Sequence, residues 1–229
     1  TDSSRTFRRV YPGFLAFNTW RNDPHAVESG QYAVWVQWDT KRGGGGWIEP
    51  KLFRENVAAP FTIGNRIHIP AGDHQFADLQ LVLIRSSGAR LRTSVDLRAG
   101  TYFDGTRTQA IVSPTWNVSK HLELGGDYQL SALRFPVRNE RVDIHLARLR
   151  VRGAFSTQAS ANAIVQFNST TSRMDANVRF RYTLAEGTDL WVVYNEGLDT
   201  ARDMDGTGVR PPFSLARTLI LKYSHTLAF

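Results

Sequence analysis

Apolar and polar residues alternate along most of the chain with a period of two, the mark of extended strands that present one face to an apolar medium and one to a polar medium. Bounded by turn residues, such segments fall at 8–20, 30–40, 46–55, 75–86, 89–103, 106–117, 121–133, 142–155, 158–168, 173–184, 188–197 and 214–229, which predicts twelve strands. In the fifth, Leu91, Val95, Leu97, Ala99 and Phe103 oppose Arg90, Arg92, Ser94, Asp96 and Arg98. In the seventh, Leu122, Leu124, Tyr128 and Leu130 oppose His121, Glu123, Asp127 and Gln129. In the tenth, Met174, Ala176, Val178, Phe180, Tyr182 and Leu184 oppose Arg173, Asp175, Asn177, Arg179, Arg181 and Thr183. The last segment places Leu215, Leu219, Leu221, Tyr223, Leu227 and Phe229 on one side, and Ala216, Thr218, Lys222, Ser224, Thr226 and Ala228 on the other. The eighth breaks step: Val142, Ile144 and Leu146 share one phase, whereas Leu149, Val151 and Phe155 share the other. A β-bulge near Ala147 and Arg148 would restore a single apolar face.

A closing strand that ends in an aromatic residue resembles the C-terminal signal of bacterial outer-membrane β-barrels, with Tyr223, Leu227 and Phe229 as its elements. Such barrels alternate short turns on one side with longer external loops on the other. Counting back from Phe229, the connections 198–213, 169–172, 134–141, 104–105, 56–74 and 21–29 fall on the external side. Those at 185–187, 156–157, 118–120, 87–88 and 41–45 fall on the periplasmic side. The two longest share the external side, an arrangement for which a sandwich in water has no reason. The aromatic residues Trp20, Trp35, Trp38, Trp47, Trp116, Trp191, Tyr194, Tyr223 and Phe229 sit mostly toward strand ends, as an interfacial girdle would, ordinary core packing being the alternative.

Composition permits this reading and removes others. Of the 229 residues 41% are hydrophobic and the mean hydropathy is −0.33, with no run near the ~18 apolar residues of a spanning helix. A helical membrane protein is excluded; a barrel is not, because alternation averages out in any hydropathy window. The absence of cysteine removes disulfides and thiolate metal sites. A chain beginning at Thr1 reads as the C-terminal share of a longer protein, with one barrel domain over 1–229.

The formal charge of +7 raises nucleic acid as a partner, and the arginine distribution argues against it. Arg90, Arg92 and Arg98, then Arg148, Arg150 and Arg152, then Arg173, Arg179 and Arg181, recur at even spacing within strand-like runs, so each trio lies on one face. Asp96, Glu123, Asp127, Asp143 and Asp175 are interleaved on similar faces. The pattern reads as a polar lining held by ion pairs, with selectivity for an anionic solute as a second role. The expected lining comprises Arg90, Arg92, Asp96, Arg98, Glu123, Asp127, Arg173, Asp175, Arg179 and Arg181.

Enzyme and metal motifs are thin. Ser224 and His225 are adjacent in a strand and point to opposite faces, so they form no nucleophile and base pair. His68, Asp73 and His74 flank a turn in the long 56–74 connection and read as a solvated loop before a metal site. Gly43 to Gly46 lacks the Lys-Ser/Thr of a phosphate loop and reads as a hairpin turn. Asp199, Arg202, Asp203, Asp205 and Gly206 have the composition of a calcium loop without its downstream glutamate. No catalytic residue, cofactor or metal ligand is therefore expected.

Three runs, FTIGNRIHIPAGDHQFADLQLVLIRS (61–86), YFDGTRTQAIVSPTWNVSKHLELGGDYQ (102–129) and 166–229, carry a family resemblance. Their most specific elements are Gln166-Phe167-Asn168, Arg179 through Tyr182, GTDLWVVYNE from Gly187 to Glu196, and the terminal aromatic strand. They resemble the C-terminal barrel of a poorly characterised family of bacterial outer-membrane proteins, in which a family-9-type carbohydrate-binding-like β-sandwich commonly precedes the barrel. The resemblance implies an all-β, antiparallel transmembrane barrel of about twelve strands in meander order. It also implies the bacterial outer membrane as location, with the lipid bilayer, the barrel-assembly machinery and a larger membrane or surface complex as partners. The function expected is a scaffold or anchor, or a narrow, anion-preferring channel. Two other classes stay open: a soluble carbohydrate-binding module using Trp35, Trp38 and Trp47, and an outer-membrane hydrolase.

Overall fold

The computed structural model describes residues 6–22, 26–64, 66–85, 90–202 and 213–226. Its strands are β1 (Phe7–Arg21), β2 (Ala26–Thr40), β3 (Gly45–Val57), β4 (Phe61–Ile63), β5 (Ile67–Ile69), β6 (Gly72–Ile84) and β7 (Leu91–Tyr102). They continue as β8 (Gly105–Asn117), β9 (Leu122–Phe135), β10 (Glu140–Ala154), β11 (Ala159–Asn168), β12 (Arg173–Ala185), β13 (Thr188–Asp199) and β14 (Ser214–His225). The described residues form no α-helix; one 3-10 turn, Pro136–Arg138, joins β9 to β10.

All the strands except β4 and β5 form one antiparallel sheet of twelve in the order β1-β2-β3-β6-β7-β8-β9-β10-β11-β12-β13-β14. This is a meander, because each long strand pairs with the next long strand along the chain. Hairpin connections enforce that order: every crossing is short except 58–71 and 200–213, and both of those leave the same end of the sheet. The chain divides into two compact units, Thr1–Val112 with Gln129–Ile144, and Ser113–Tyr128 with His145–Phe229.

Three local features depart from the alternation reading. The connection 58–71 contains a hairpin of its own, β4 with β5, paired Phe61↔Ile69 and Ile63↔Ile67. Its turn uses Gly64 at φ +58°, a left-handed conformation that glycine adopts without strain. Second, β10 has no bulge at Ala147 and Arg148: its register with β11 runs unbroken from Leu146↔Asn168 to Ala154↔Ser160. Val142 and Ile144 keep the phase of Arg148, Arg150 and Arg152, and they stay apolar because the β4–β5 hairpin covers their end of the face. Val142 is buried in one cluster with Val57, Ile67, Ile69, Phe76, Phe103, Leu133 and Phe135, and Ile144 packs against it. Third, Phe103 leaves the phase of Leu97 and Ala99. It occupies the β7–β8 turn at φ +52°, and its ring reaches Phe76 (centroids 5.1 Å apart) and Tyr102 (4.8 Å).

Candidate functional site: the polar face of the sheet

In the first unit the two faces are exposed in the opposite sense to that of a protein folded in water. Along β6, Asp78 and Gln80 are 5% and 4% exposed while Leu79 and Leu83 between and beyond them are 47% and 43% exposed. Along β14, Leu219 and Leu221 are 71% and 69% exposed. Among the described residues, thirty-two large hydrophobic side chains are exposed, whereas the buried hydrophobic set numbers ten. Leaving an aliphatic or aromatic side chain in water forfeits about 1.5–3 kcal/mol relative to burying it. Where such side chains line one face, as on β6 and β14, they make a surface suited to another apolar phase.

Charges on the apolar face keep to one end, where the connections 58–71, 136–139 and 200–213 emerge. They include Arg54, Asp73 and Arg141, the pair Arg134–Asp143 at 2.6 Å, and Arg217–Glu196 at 2.6 Å, with the Tyr194 hydroxyl donating to Glu196. Asp143 thus stands on the opposite face from Arg148, Arg150 and Arg152, a correction to the face expected for it: it lies an odd number of residues from each of them within the single strand Glu140–Ala154, whose register with β11 is unbroken from Leu146 to Ala154. Trp38, Trp116, Tyr182 and Tyr223 lie on the same apolar face toward the other end of their strands. Between these two zones the apolar face holds no Asp, Glu, Lys or Arg among the described residues. Ile48, Pro50 and Leu52 fill it on β3, Ala77, Leu79, Leu81 and Leu83 on β6, Met174 through Leu184 at alternate positions on β12, and Leu219 and Leu221 on β14.

The tryptophans divide between the faces. Trp35 and Trp47 pair with Gly13 and Val82 on the polar side, and Trp191 lies there under the Arg181 guanidinium, 5.3 Å from the ring centroid. Trp38, on the apolar side, pairs with Gly46, where a Cβ would sit 2.8 Å from the indole. A single girdle therefore does not hold all of them, and Trp35, Trp38 and Trp47 do not form one stacking platform.

In the first unit the polar face carries three sets of partnered side chains. Lys51 on β3 meets Glu49 at 3.1 Å and donates to Gln80 Oε1 on β6 at 2.6 Å. Gln80 donates in turn to Asp96 Oδ2 on β7 at 2.7 Å, and Asp96 accepts from Arg98 at 3.3 Å. Arg107 on β8 pairs with Asp78 at 2.5 Å and lies 4.6 Å above the Tyr102 ring. Gln109 and Gln129 both donate to Ser131 Oγ, at 3.0 and 3.1 Å. Buried polar groups are tolerated where partners satisfy them; these sets together span β3 to β9, and among the described residues Asp78 Oδ1 and Arg107 Nε are left without a hydrogen-bond partner. Arg92 shares this phase on β7; Arg90 lies in the exposed bend just before the strand.

At the end where 58–71 emerges, the same face turns apolar. Ile67 and Ile69 of the hairpin are fully buried against Phe76, Leu133 and Phe135. Arg138 fastens the hairpin: its Nη1 donates to the His68 carbonyl at 2.5 Å, and its other nitrogens meet Asp104 at 3.2 Å and Glu140 at 3.3 Å. His68 and His74 are not brought together as ligands, since the His74 ring packs edge-on against Phe103 and its Nε2 lies 3.0 Å from the Pro70 carbonyl oxygen. No group of three His, Cys, Asp or Glu able to hold a metal ion occurs among the described residues. Asp203, Asp205 and Gly206 lie outside those residues.

In the second unit the polar face carries more arginine than acid. Asp127 is shared by Arg148 at 3.9 Å and Arg150 at 3.6 Å, and Glu123 takes Arg152 at 3.1 Å. Arg173 pairs with Asp175 at 3.1 Å. Arg181 grips Asp189 through two bonds of 2.9 and 2.8 Å, and Thr183 donates to the same carboxylate at 2.7 Å. Arg179, registered opposite Asn162 and Val193, makes no hydrogen bond or ion pair among the described residues. Beside it is a concavity of about 630 Å³ lined by Lys120, Arg152, Asn162, Arg179, Arg181 and Trp191, among others. Apart from Arg90, in its bend, the residues expected as a lining thus lie on one face of the sheet. Alternation finds such residues readily; the free guanidinium and the hollow beside it depend on which acid each arginine meets, information carried by register. Of the terminal signal, Tyr223 is exposed on the apolar face and pairs with Leu190, while Leu227 and Phe229 lie outside the described residues.

No family model matches the chain, and no curated protein matches it. Among solved structures it is similar to the NanC porin in a rhombohedral crystal form, at 11% sequence identity over 95% of this chain and 99% of that chain, with a TM-score of 0.37.

Proposed function

We propose that this chain is a transmembrane β-barrel protein of a bacterial outer membrane, and that its polar face encloses a narrow passage preferring anions. Hydrocarbon offers no partner to backbone N–H and C=O groups, so a sheet of twelve strands is viable there only when closed on itself. The observation that carries the reading is the apolar face, charge-free through its middle and exposed, set back to back with a polar face of paired ions. Outward hydrophobic residues and an inward polar lining are how strands cross lipid. Interior arginine in excess of acid supports the anion preference, since among the described residues Asp127 serves two arginines and Arg179 meets no acid.

The β4–β5 hairpin and its buried isoleucines narrow that passage at one end. Where it closes the passage fully, the protein serves as a membrane scaffold, and the sequence resemblance extends the proposal to an anchor for a family-9-type carbohydrate-binding-like domain within a larger surface complex. Insertion by the barrel-assembly machinery belongs to the same proposal.

Two measurements test it. The purified chain is expected to need detergent or lipid to stay folded; a folded monomer in plain buffer overturns the membrane reading. In planar bilayers under a KCl gradient the reversal potential is expected to report anion preference. Cation preference removes the selectivity claim, and absence of conductance leaves the scaffold.

A further inference from the structure

The hollow beside Arg179 has a chemistry of its own. We propose that it is a binding site for a small organic oxyanion, a free solute bearing a carboxylate or phosphate group, with the Arg179 guanidinium as its receptor. This rests on the reading of the polar face as enclosed and accessible to solutes.

Most of the neighbouring cations are already engaged. Arg152 is held by Glu123 at 3.1 Å and Arg181 by both oxygens of Asp189. Arg179 and Lys120 line the same hollow and have no partner among the described residues. A guanidinium presents a planar fork of donors that matches a carboxylate or phosphate edge, and such charge-assisted pairs are the stronger hydrogen bonds. The engaged arginines contribute geometry: their ion pairs hold the walls while Arg179 stays available. Trp191 supplies an aromatic wall, one face of which the Arg181 guanidinium already covers.

Size selects against an inorganic ion alone. About 630 Å³ falls within the range that houses small organic ligands, and a bare phosphate would leave most of it to water. The acceptor oxygen of Asn162 is buried without a hydrogen-bond partner, next to Arg179 across the β11–β12 pairing. A hydroxyl on the bound solute would satisfy it.

The experiment uses the full chain in micelles of a detergent without phosphate, at fixed ionic strength, and reads binding calorimetrically with glucose 6-phosphate as probe and glucose as its neutral counterpart. Glucose 6-phosphate is expected to bind saturably and glucose not to bind. Arg179→Gln is expected to weaken binding roughly tenfold to hundredfold, the size of one charge-assisted hydrogen-bonded contact. Arg173→Gln, at the far end of the same strand and face, is expected to leave affinity within about twofold. Arg179 has no partner to lose among the described residues, so the variant is expected to keep the heat-dependent gel mobility of the folded protein. The proposal is overturned by wild-type protein that does not bind, by equal binding of glucose, by Arg179→Gln without effect, or by Arg173→Gln weakening binding as much. Displacement of glucose 6-phosphate from Arg179 by trace phosphatidylglycerol would identify a lipid headgroup as the ligand and overturn the claim of a free solute. Because no current is measured, binding in a non-conducting protein would refute the passage and leave this site standing. Selective conductance without binding would do the reverse.

Discussion

Replacing Leu221 by arginine separates a lipid-facing strand from a water-facing one by the size of its effect. Leu221 lies in the middle of β14, registered opposite Val192, on the charge-free part of the apolar face. At 69% exposure it gives up little packing within the chain itself, so in water the substitution falls among ordinary surface changes, within about 0.5 kcal/mol. In a bilayer the same position lies near the midplane, where an outward arginine costs about 2–4 kcal/mol. That corresponds to a drop of roughly thirtyfold to several hundredfold in the folded-to-unfolded ratio. The assay is urea-driven unfolding of protein folded into thin phosphatidylcholine vesicles, followed by tryptophan fluorescence and heat-dependent gel mobility. Leu91→Arg supplies the depth control. Leu91 is the first residue of β7, on the same face and near the interface, where the cost falls to about 0–1 kcal/mol. Equal stabilities for Leu221→Arg and the wild type, or equal losses for the two variants, would refute the argument.

Two further outcomes follow from the polar face and its cap. Asp78→Asn removes the buried partner of Arg107 and is expected to cost about 3–5 kcal/mol in the same unfolding assay, whereas removing both charges with apolar residues of similar volume is expected to cost much less. Ile67→Ala, at a fully buried hairpin position, is expected to lose about 2–5 kcal/mol where unfolding is cooperative. If the hairpin narrows the passage, the same variant also raises single-channel conductance; unchanged conductance with normal stability would remove the hairpin from that role.

The twelve long strands were legible because alternation and turn residues act over windows longer than the errors they produce, and each predicted segment overlaps one observed strand. The β4–β5 hairpin was not legible by that route, since three-residue strands fall below any alternation window. The signal that could have found it is Phe61-Thr-Ile-Gly followed by Ile67-His-Ile, two short β-branched runs around a glycine turn. Val142 and Ile144 break the alternation for a related reason: their apolar character answers to the hairpin above them and marks no change of face. Asp143, between them, therefore lies on the apolar face. Which arginine is left without an acid is a property of register across neighbouring strands, and a single sequence read strand by strand does not carry it.

The arginine trio of β10 also bears on how the chain finds its pairing. Arg148, Arg150 and Arg152 share one phase with an unbroken register to β11, and sliding that strand by one residue would turn all three toward the hydrocarbon. At about 2–4 kcal/mol for the charge nearest the middle of the strand and less for those nearer its end, the slip costs several kcal/mol, a large share of a domain's ordinary stability. For a chain inserted as proposed, the guanidinium groups would thus act against misaligned pairing during assembly.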